Sequence, residues 1–164
     1  MDLFVPTLSQ GLLWSILALG VYLTFRVLDI ADLTVEGSFP LGAAVAARLL
    51  SDGSNPFSAI FAACAAGMLA GIVTGWLTTK LKIPALLSGI LTMIALYSVN
   101  LRVMGKANLS LLRQETIFTR FEAFFDDRQF VILAVGFAAV LFLSLLFYWF
   151  FGTEIGAAIR ATGF

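Results

Sequence analysis

The chain has 164 residues, of which 60% are hydrophobic and only 12% charged, with a mean hydropathy of +0.99. A soluble domain carries about a quarter charged residues, so the composition excludes a water-soluble globule and indicates an integral membrane protein. Ten Lys+Arg balance ten Asp+Glu, histidine is absent and Cys64 is the single cysteine, which excludes a charge-driven nucleic-acid binder, a disulfide scaffold and a zinc or haem site built from these residues.

The opening MDLFVPTLSQ has no basic n-region and no cleavage signal after the first apolar run, so the first span, Leu3 to Phe25, is expected to be retained. A spanning helix needs about 20 apolar residues, and three later uncharged stretches meet that length: Gly53 to Thr79, Ile83 to Leu101 and Gln129 to Thr153. Between Glu36 and Arg48 lies a shorter piece, GSFPLGAAVAA, about 16 Å long as a helix. Alone it cannot cross a hydrocarbon core of about 30 Å. With Ile30 to Val35 added and Arg48 snorkelling it reaches across as a broken pass, which puts Glu36, Gly37 and Pro40 inside the membrane. The expected fold is therefore all-α: a polytopic helix bundle of about five passes including one broken helix, formed by residues 1–164 as a single transmembrane domain. The alternative is a re-entrant segment that leaves on the side it entered, which would reverse the first span.

The stretch from Asp29 to Gly42 holds three acids, two glycines and one proline. Ionisable residues at membrane depth are costly and point to function, and broken helices near the midplane are where transporters bind solutes. Asp32, Thr34, Glu36, Gly37, Ser38, Pro40 and Gly42 are thus candidates for a translocation path. The same stretch also reads as a solvated loop in which Asp32 or Ser38 caps the next helix and Pro40 sits in its first turn. No spacing matches a calcium loop, and neither a metal nor a cofactor is expected. In the next span Ala59, Ala63, Gly67, Gly71, Gly75 and Thr79 recur every fourth residue, a row that allows close helix packing, with Gly67, Gly71 and Gly75 at its centre. Pro84 opens the following span, whose Ser88, Gly89 and Thr92 either line a path or bond to a neighbour.

Lys80 and Lys82 fill a tight turn without an acid, which places that turn in the cytoplasm. Alternation then puts Arg102 to Arg128 outside and the chain's end, after Thr153, inside. Within the outer segment Ile117 or Phe118, Phe121 and Phe125 alternate with Arg120, Glu122 and Asp126, the pattern of a helix lying in the interface. Tyr148 and Trp149 mark the inner boundary. Beyond them Glu154 to Thr162 forms a short helix with charges suited to its dipole.

Two strings carry a family resemblance. In GLLWSILALGVYLTFRVLDIADLTVEGSFPLGAAVAA, the residues Ala18, Leu19, Gly20, Arg26, Ile30, Gly37 and Leu41-Gly42-Ala43 occupy the places of an A-L-G…R…I…G-x-x-x-L-G-A pattern. That pattern resembles the N-terminal region of bacterial ABC importer permeases of the branched-chain amino acid and ribose type. DLTVEGSFPLGAA is closer to a subgroup encoded with binding proteins for aromatic or other amino acids. The second string, GTEIGAAIRATG, resembles the cytoplasmic coupling segment of the same family, with Gly156, Arg160, Ala161 and Gly163 matching and Glu154 beside them. The resemblance implies a permease subunit of the bacterial inner membrane, working as a homodimer or with a second permease chain. It further implies an ATP-binding subunit and an extracytoplasmic solute-binding protein as partners, with membrane lipid around the bundle. Family members are longer, so the resemblance covers about the first half of such a permease.

No G-x-x-x-x-G-K-S/T motif is present, so ATP hydrolysis has to come from another chain, and no catalytic group set is visible. A transport subunit for an amino acid or similar solute is the leading expectation. A permease for a sugar or nucleoside, a non-transporting membrane scaffold and a truncated permease remnant are the alternatives.

Overall fold

The computed structural model describes residues 4–106, 108–112, 114–122 and 128–162. Among these residues every regular element is helical. In chain order they are α1 (Phe4–Tyr22), continued by a π-helical turn (Leu23–Val27), then α2 (Thr34–Ser51), α3 (Pro56–Thr79), α4 (Ala85–Met104), α5 (Ile117–Glu122), α6 (Arg128–Phe151) and α7 (Glu154–Thr162). Four helices are long and apolar enough to cross a membrane: Phe4–Val27, Pro56–Thr79, Ala85–Met104 and Arg128–Phe151. The described residues fall into two compact units, one holding α2, α3 and α4 and the other holding α1, α6 and α7.

In the first of these units α2 lies between α3 and α4 and packs on both. Its buried face is Thr34, Gly37, Leu41 and Ala44, spaced three and four residues apart as one side of a helix requires. Small side chains make this possible: a Cβ at Gly37 would lie 2.9 Å from the Met93 Cα. Leu41, Ala70 and Leu96 form the small apolar core. The helix ends follow local chemistry. Asn55 caps α3 by accepting from the Phe57 N–H at 3.1 Å, with Pro56 in the first turn. Gly105, at φ +67°, closes α4 in the left-handed region that glycine tolerates.

The expectation of a broken second pass is corrected in one respect. Thr34–Ser51 is one uninterrupted helix of 18 residues, about 27 Å long, and Pro40 sits within it rather than in its first turn. The irregular backbone lies ahead of it, in residues 28–33. That stretch can leave the helical ladder because Asp29 adopts φ +51° and the Asp32 carboxylate accepts from the Thr34 N–H at 2.8 Å. Of the two capping candidates, Asp32 makes this contact from one residue ahead of the N-cap, Leu33, which carries no side-chain cap.

In the other unit α1 runs parallel to α6. Gly136 faces Leu12 with 3.5 Å available to a Cβ, and further along, Leu19, Tyr22 and Val27 share a cavity with Ser144, Phe147 and Phe151. Parallel α1 and α6 require an odd number of crossings between them. Crossings by α3, α4 and α2 would make such an odd number, as the five-pass expectation has it.

The expected interfacial helix is short, Ile117–Glu122. Phe125 and Asp126 lie outside the described residues.

Candidate functional site

Membrane depth follows from which residues of α2 and α4 meet. Asp32 and Leu33 lie against Gly89, where a Cβ would come 2.8 Å from the Leu33 nitrogen and 3.0 Å from Asp32 Oδ1. Gly37 meets Met93 and Leu96, and Arg48 reaches Gly105. The two helices therefore run parallel and in register. Because Met93 is the ninth of the twenty residues in α4, Glu36 and Gly37 sit at mid-span, about 12 Å from the start of α4. An ionisable side chain at that depth is held there at a cost.

Glu36 borders a groove of about 670 Å³ between α2 and α4, with Gly37 and Pro40 on one wall and Met93, Ile94, Tyr97, Ser98, Asn100, Leu101 and Met104 on the other. The groove is mostly apolar. Among the described residues no ion pair engages Glu36. Asn100 Oδ1 is buried and without a hydrogen-bond partner. Pro40 has no N–H, so the Glu36 carbonyl also lacks its intrahelical donor.

The remaining path candidates are distributed differently. Thr34, Thr74 and Thr92 form a buried hydroxyl cluster that ties α2, α3 and α4 together, with Thr34 Oγ1 and Thr74 Oγ1 2.8 Å apart and Thr74 Oγ1 donating to Thr92 Oγ1 at 2.9 Å. Ser88 is fully buried, its hydroxyl donating to the Ile83 carbonyl at 3.4 Å. Thr34, Ser88 and Thr92 thus face neighbouring helices rather than an open path. Ser38 is half-buried and donates to the Val35 carbonyl, and a Cβ at Gly42 would lie 3.7 Å from the Ala63 carbonyl oxygen on α3. Of the residues singled out in the sequence, Glu36, Gly37 and Pro40 border the groove. Tyr97, Ser98 and Asn100 were missed. Their signal was the recurrence Met93, Tyr97, Asn100, Met104 at four, three and four residues, which puts a polar amide on one face of an apolar helix.

The glycines of α3 face open space among the described residues. A Cβ at Gly67, Gly71 or Gly75 would meet nothing within 4 Å, while Ala59, Ala70 and Thr74 are buried. Among the described residues α3 packs through Ala59 and Ala63 at the start of that row and through Ala70 and Thr74 beside it.

The second site is the α6–α7 corner. Thr153 caps α7: its hydroxyl accepts from the Gly156 N–H at 3.3 Å and donates to the Phe150 carbonyl at 2.6 Å. Gly156 is buried directly against the α6 backbone, where a Cβ would meet the Phe150 carbonyl oxygen and lie 2.5 Å from the Phe151 Cα. The Arg160 guanidinium donates to the Phe151 carbonyl at 3.0 Å, placing a cation at the negative end of α6. Glu154 and Ala161 are exposed, as is Ile155. Gly163 lies outside the described residues. Gly156 and Arg160 therefore fasten α7 to α6, and the exposed face of α7 is Glu154, Ile155, Ala158 and Ala161.

Comparison with known proteins adds three findings. A family model described as the branched-chain amino acid transport system permease component matches residues 3–164. A tyrosine transport system permease protein of Clostridioides difficile (strain R20291) is 38% identical over 159 residues, covering 97% of this chain and 51% of that protein. The uncharacterized protein RP368 of Rickettsia prowazekii (strain Madrid E) is 36% identical over 166 residues, covering 100% of this chain and 56% of that protein. The chain thus spans about half the length of the curated relatives it matches. No solved structure matches it.

Proposed function

The chain belongs to the branched-chain amino acid transport system permease family, and on that premise we propose that it is part of the membrane-spanning subunit of an ABC importer that carries an amino acid inward. The observation that supports this most directly is the family match along residues 3–164. The relative named as a tyrosine transport permease favours an aromatic amino acid as the solute. ATP hydrolysis would be supplied by a partner subunit in the cytoplasm, and solute by an extracytoplasmic binding protein. The subunit sits in the bacterial inner membrane beside a second permease chain.

Mechanistically, the exposed face of α7 meets the ATP-binding subunit, and the fastening of Gly156 and Arg160 to α6 passes displacement of α7 to a membrane helix. A discrete rearrangement of the bundle then changes access to the groove beside Glu36. The solute path follows α2 and α4, because the acid, the glycine and the proline of α2 line the groove at mid-span.

The test is ATP-driven uptake by the intact permease purified with its co-purifying subunits and reconstituted in proteoliposomes. Uptake of an amino acid in the wild type, lost in Arg160→Glu while ATP hydrolysis persists, is the expected result. Normal uptake in Arg160→Glu removes the coupling role, and no uptake of any solute removes the transport reading.

A further inference from the structure

Glu36 is the one charged residue among the described residues lining the groove between α2 and α4. The Glu36 carboxylate borders it at mid-span. The Glu36 carbonyl, deprived of a donor by Pro40, lies on the same stretch of α2. Asn100 Oδ1, buried and unpartnered, belongs to the facing wall. All three are acceptors, one of them anionic, and the described lining residues include no Lys or Arg. A carboxylate bordering an apolar groove with no basic residue in its lining favours a cationic guest there. A primary ammonium group supplies three donors and a positive charge. The rest of the lining, Met93, Ile94, Leu101 and Met104 with the Tyr97 ring, suits an apolar or aromatic body attached to it, and methionine adapts readily to aromatic surfaces.

Resting on the permease reading above, we infer that Glu36, with Asn100, forms a mid-membrane station that selects solutes by their ammonium group. Discrimination against carboxylates or sugars of similar size then operates inside the membrane as well as at delivery. A carboxylate entering the groove meets Glu36 with like charge, and a sugar offers hydroxyls but no cation to neutralise it. Tyr97 and Ser98 supply hydroxyl donors on the same wall, which leaves room for the carboxylate of an amino acid at the opposite end of the ammonium contact.

The experiment is equilibrium binding of radiolabelled phenethylamine and 3-phenylpropionate to the intact permease complex in detergent, compared with ATP-driven uptake by the same preparation. The amine is expected to bind at least tenfold more tightly than the acid, Glu36→Gln to lose that preference, Asn100→Leu to weaken amine binding several-fold and Glu36→Asp to retain part of it. Thermal melting confirms that the variants fold. Equal affinity for amine and acid, or unchanged amine binding in both Glu36→Gln and Asn100→Leu, overturns the inference. Wild-type uptake rates in Glu36→Gln together with no amine preference sink the station while leaving the permease reading intact. Amine selectivity that follows Glu36 in a complex that takes up nothing does the reverse.

Discussion

Gly156→Ala separates local helix propensity from packing, because the two predict opposite signs. On propensity alone, alanine in place of glycine inside a helix stabilises by about 1 kcal/mol. The structure puts the added Cβ against the Phe150 carbonyl oxygen and 2.5 Å from the Phe151 Cα. Ordinary carbon contacts lie near 3.5–4.0 Å, so α7 must move away from α6 by about 1 Å. Neither obstacle is a flexible side chain, and overpacking of this kind costs about 1–3 kcal/mol. The displacement also draws Arg160 off the Phe151 carbonyl and Gly156 off Thr153. With propensity subtracted, the net effect on docking of α7 is a loss of up to about 2 kcal/mol, equivalent to about a 30-fold rise in the population of undocked α7. Trypsin cleavage after Arg160, under conditions where opening is fast relative to cleavage, reads that population. Faster cleavage in Gly156→Ala at unchanged far-ultraviolet circular dichroism is the expected result. Cleavage equal to or slower than wild type would show that α7 is not seated on the Phe150–Phe151 backbone.

Two further outcomes follow from the helix contacts. Gly37→Ala should lower thermal stability by about 1–3 kcal/mol, since its Cβ meets the Met93 backbone and the Leu96 side chain at 2.9–3.3 Å, whereas Gly71→Ala should be neutral or slightly stabilising. Equal losses at the two positions, measured by melting in detergent, would refute the assignment of packing faces. Thr74→Val should cost about 1–2 kcal/mol by stranding the hydroxyls of Thr34 and Thr92, and replacing all three threonines with valine should recover most of it. A triple variant less stable than the single one would show that the cluster is not a closed hydrogen-bonding unit.

The architecture was legible in the sequence wherever hydrophobicity alone decides it. Charges interrupt the apolar runs near Lys80, Arg102 and Arg128, and the spans end close to them. The position of α2 was harder to read, because its length is set by contacts that sequence spacing does not display. Asp32 can release the chain into the helix only because Gly89 leaves room for residues 32 and 33. The glycine row of α3 shows a related limit of spacing. A stripe of small residues states that a backbone can come close, while the side on which a neighbour arrives is fixed by where Thr34 and Thr92 find Thr74. Gly156 and Arg160 were visible as a pattern, but their attachment to α6 rests on a turn at Gly152 and Thr153 whose direction no periodicity encodes.

The composition of α2 bears on how the protein is made. It carries Glu36, Pro40 and Arg48 and falls outside the set of helices apolar enough to cross on their own, and charged residues make the transfer of a segment into lipid less favourable. Its partners come later in the chain. Emerging alone from the ribosome, α2 has neither Ala70 nor Thr74 of α3 beside it, nor Met93 of α4 over Gly37. Stable integration therefore waits until residues beyond about 93 have been synthesised. Until then α2 rests in the translocon or at the interface, and α3 with α4 draws it into the bilayer as a completed three-helix unit.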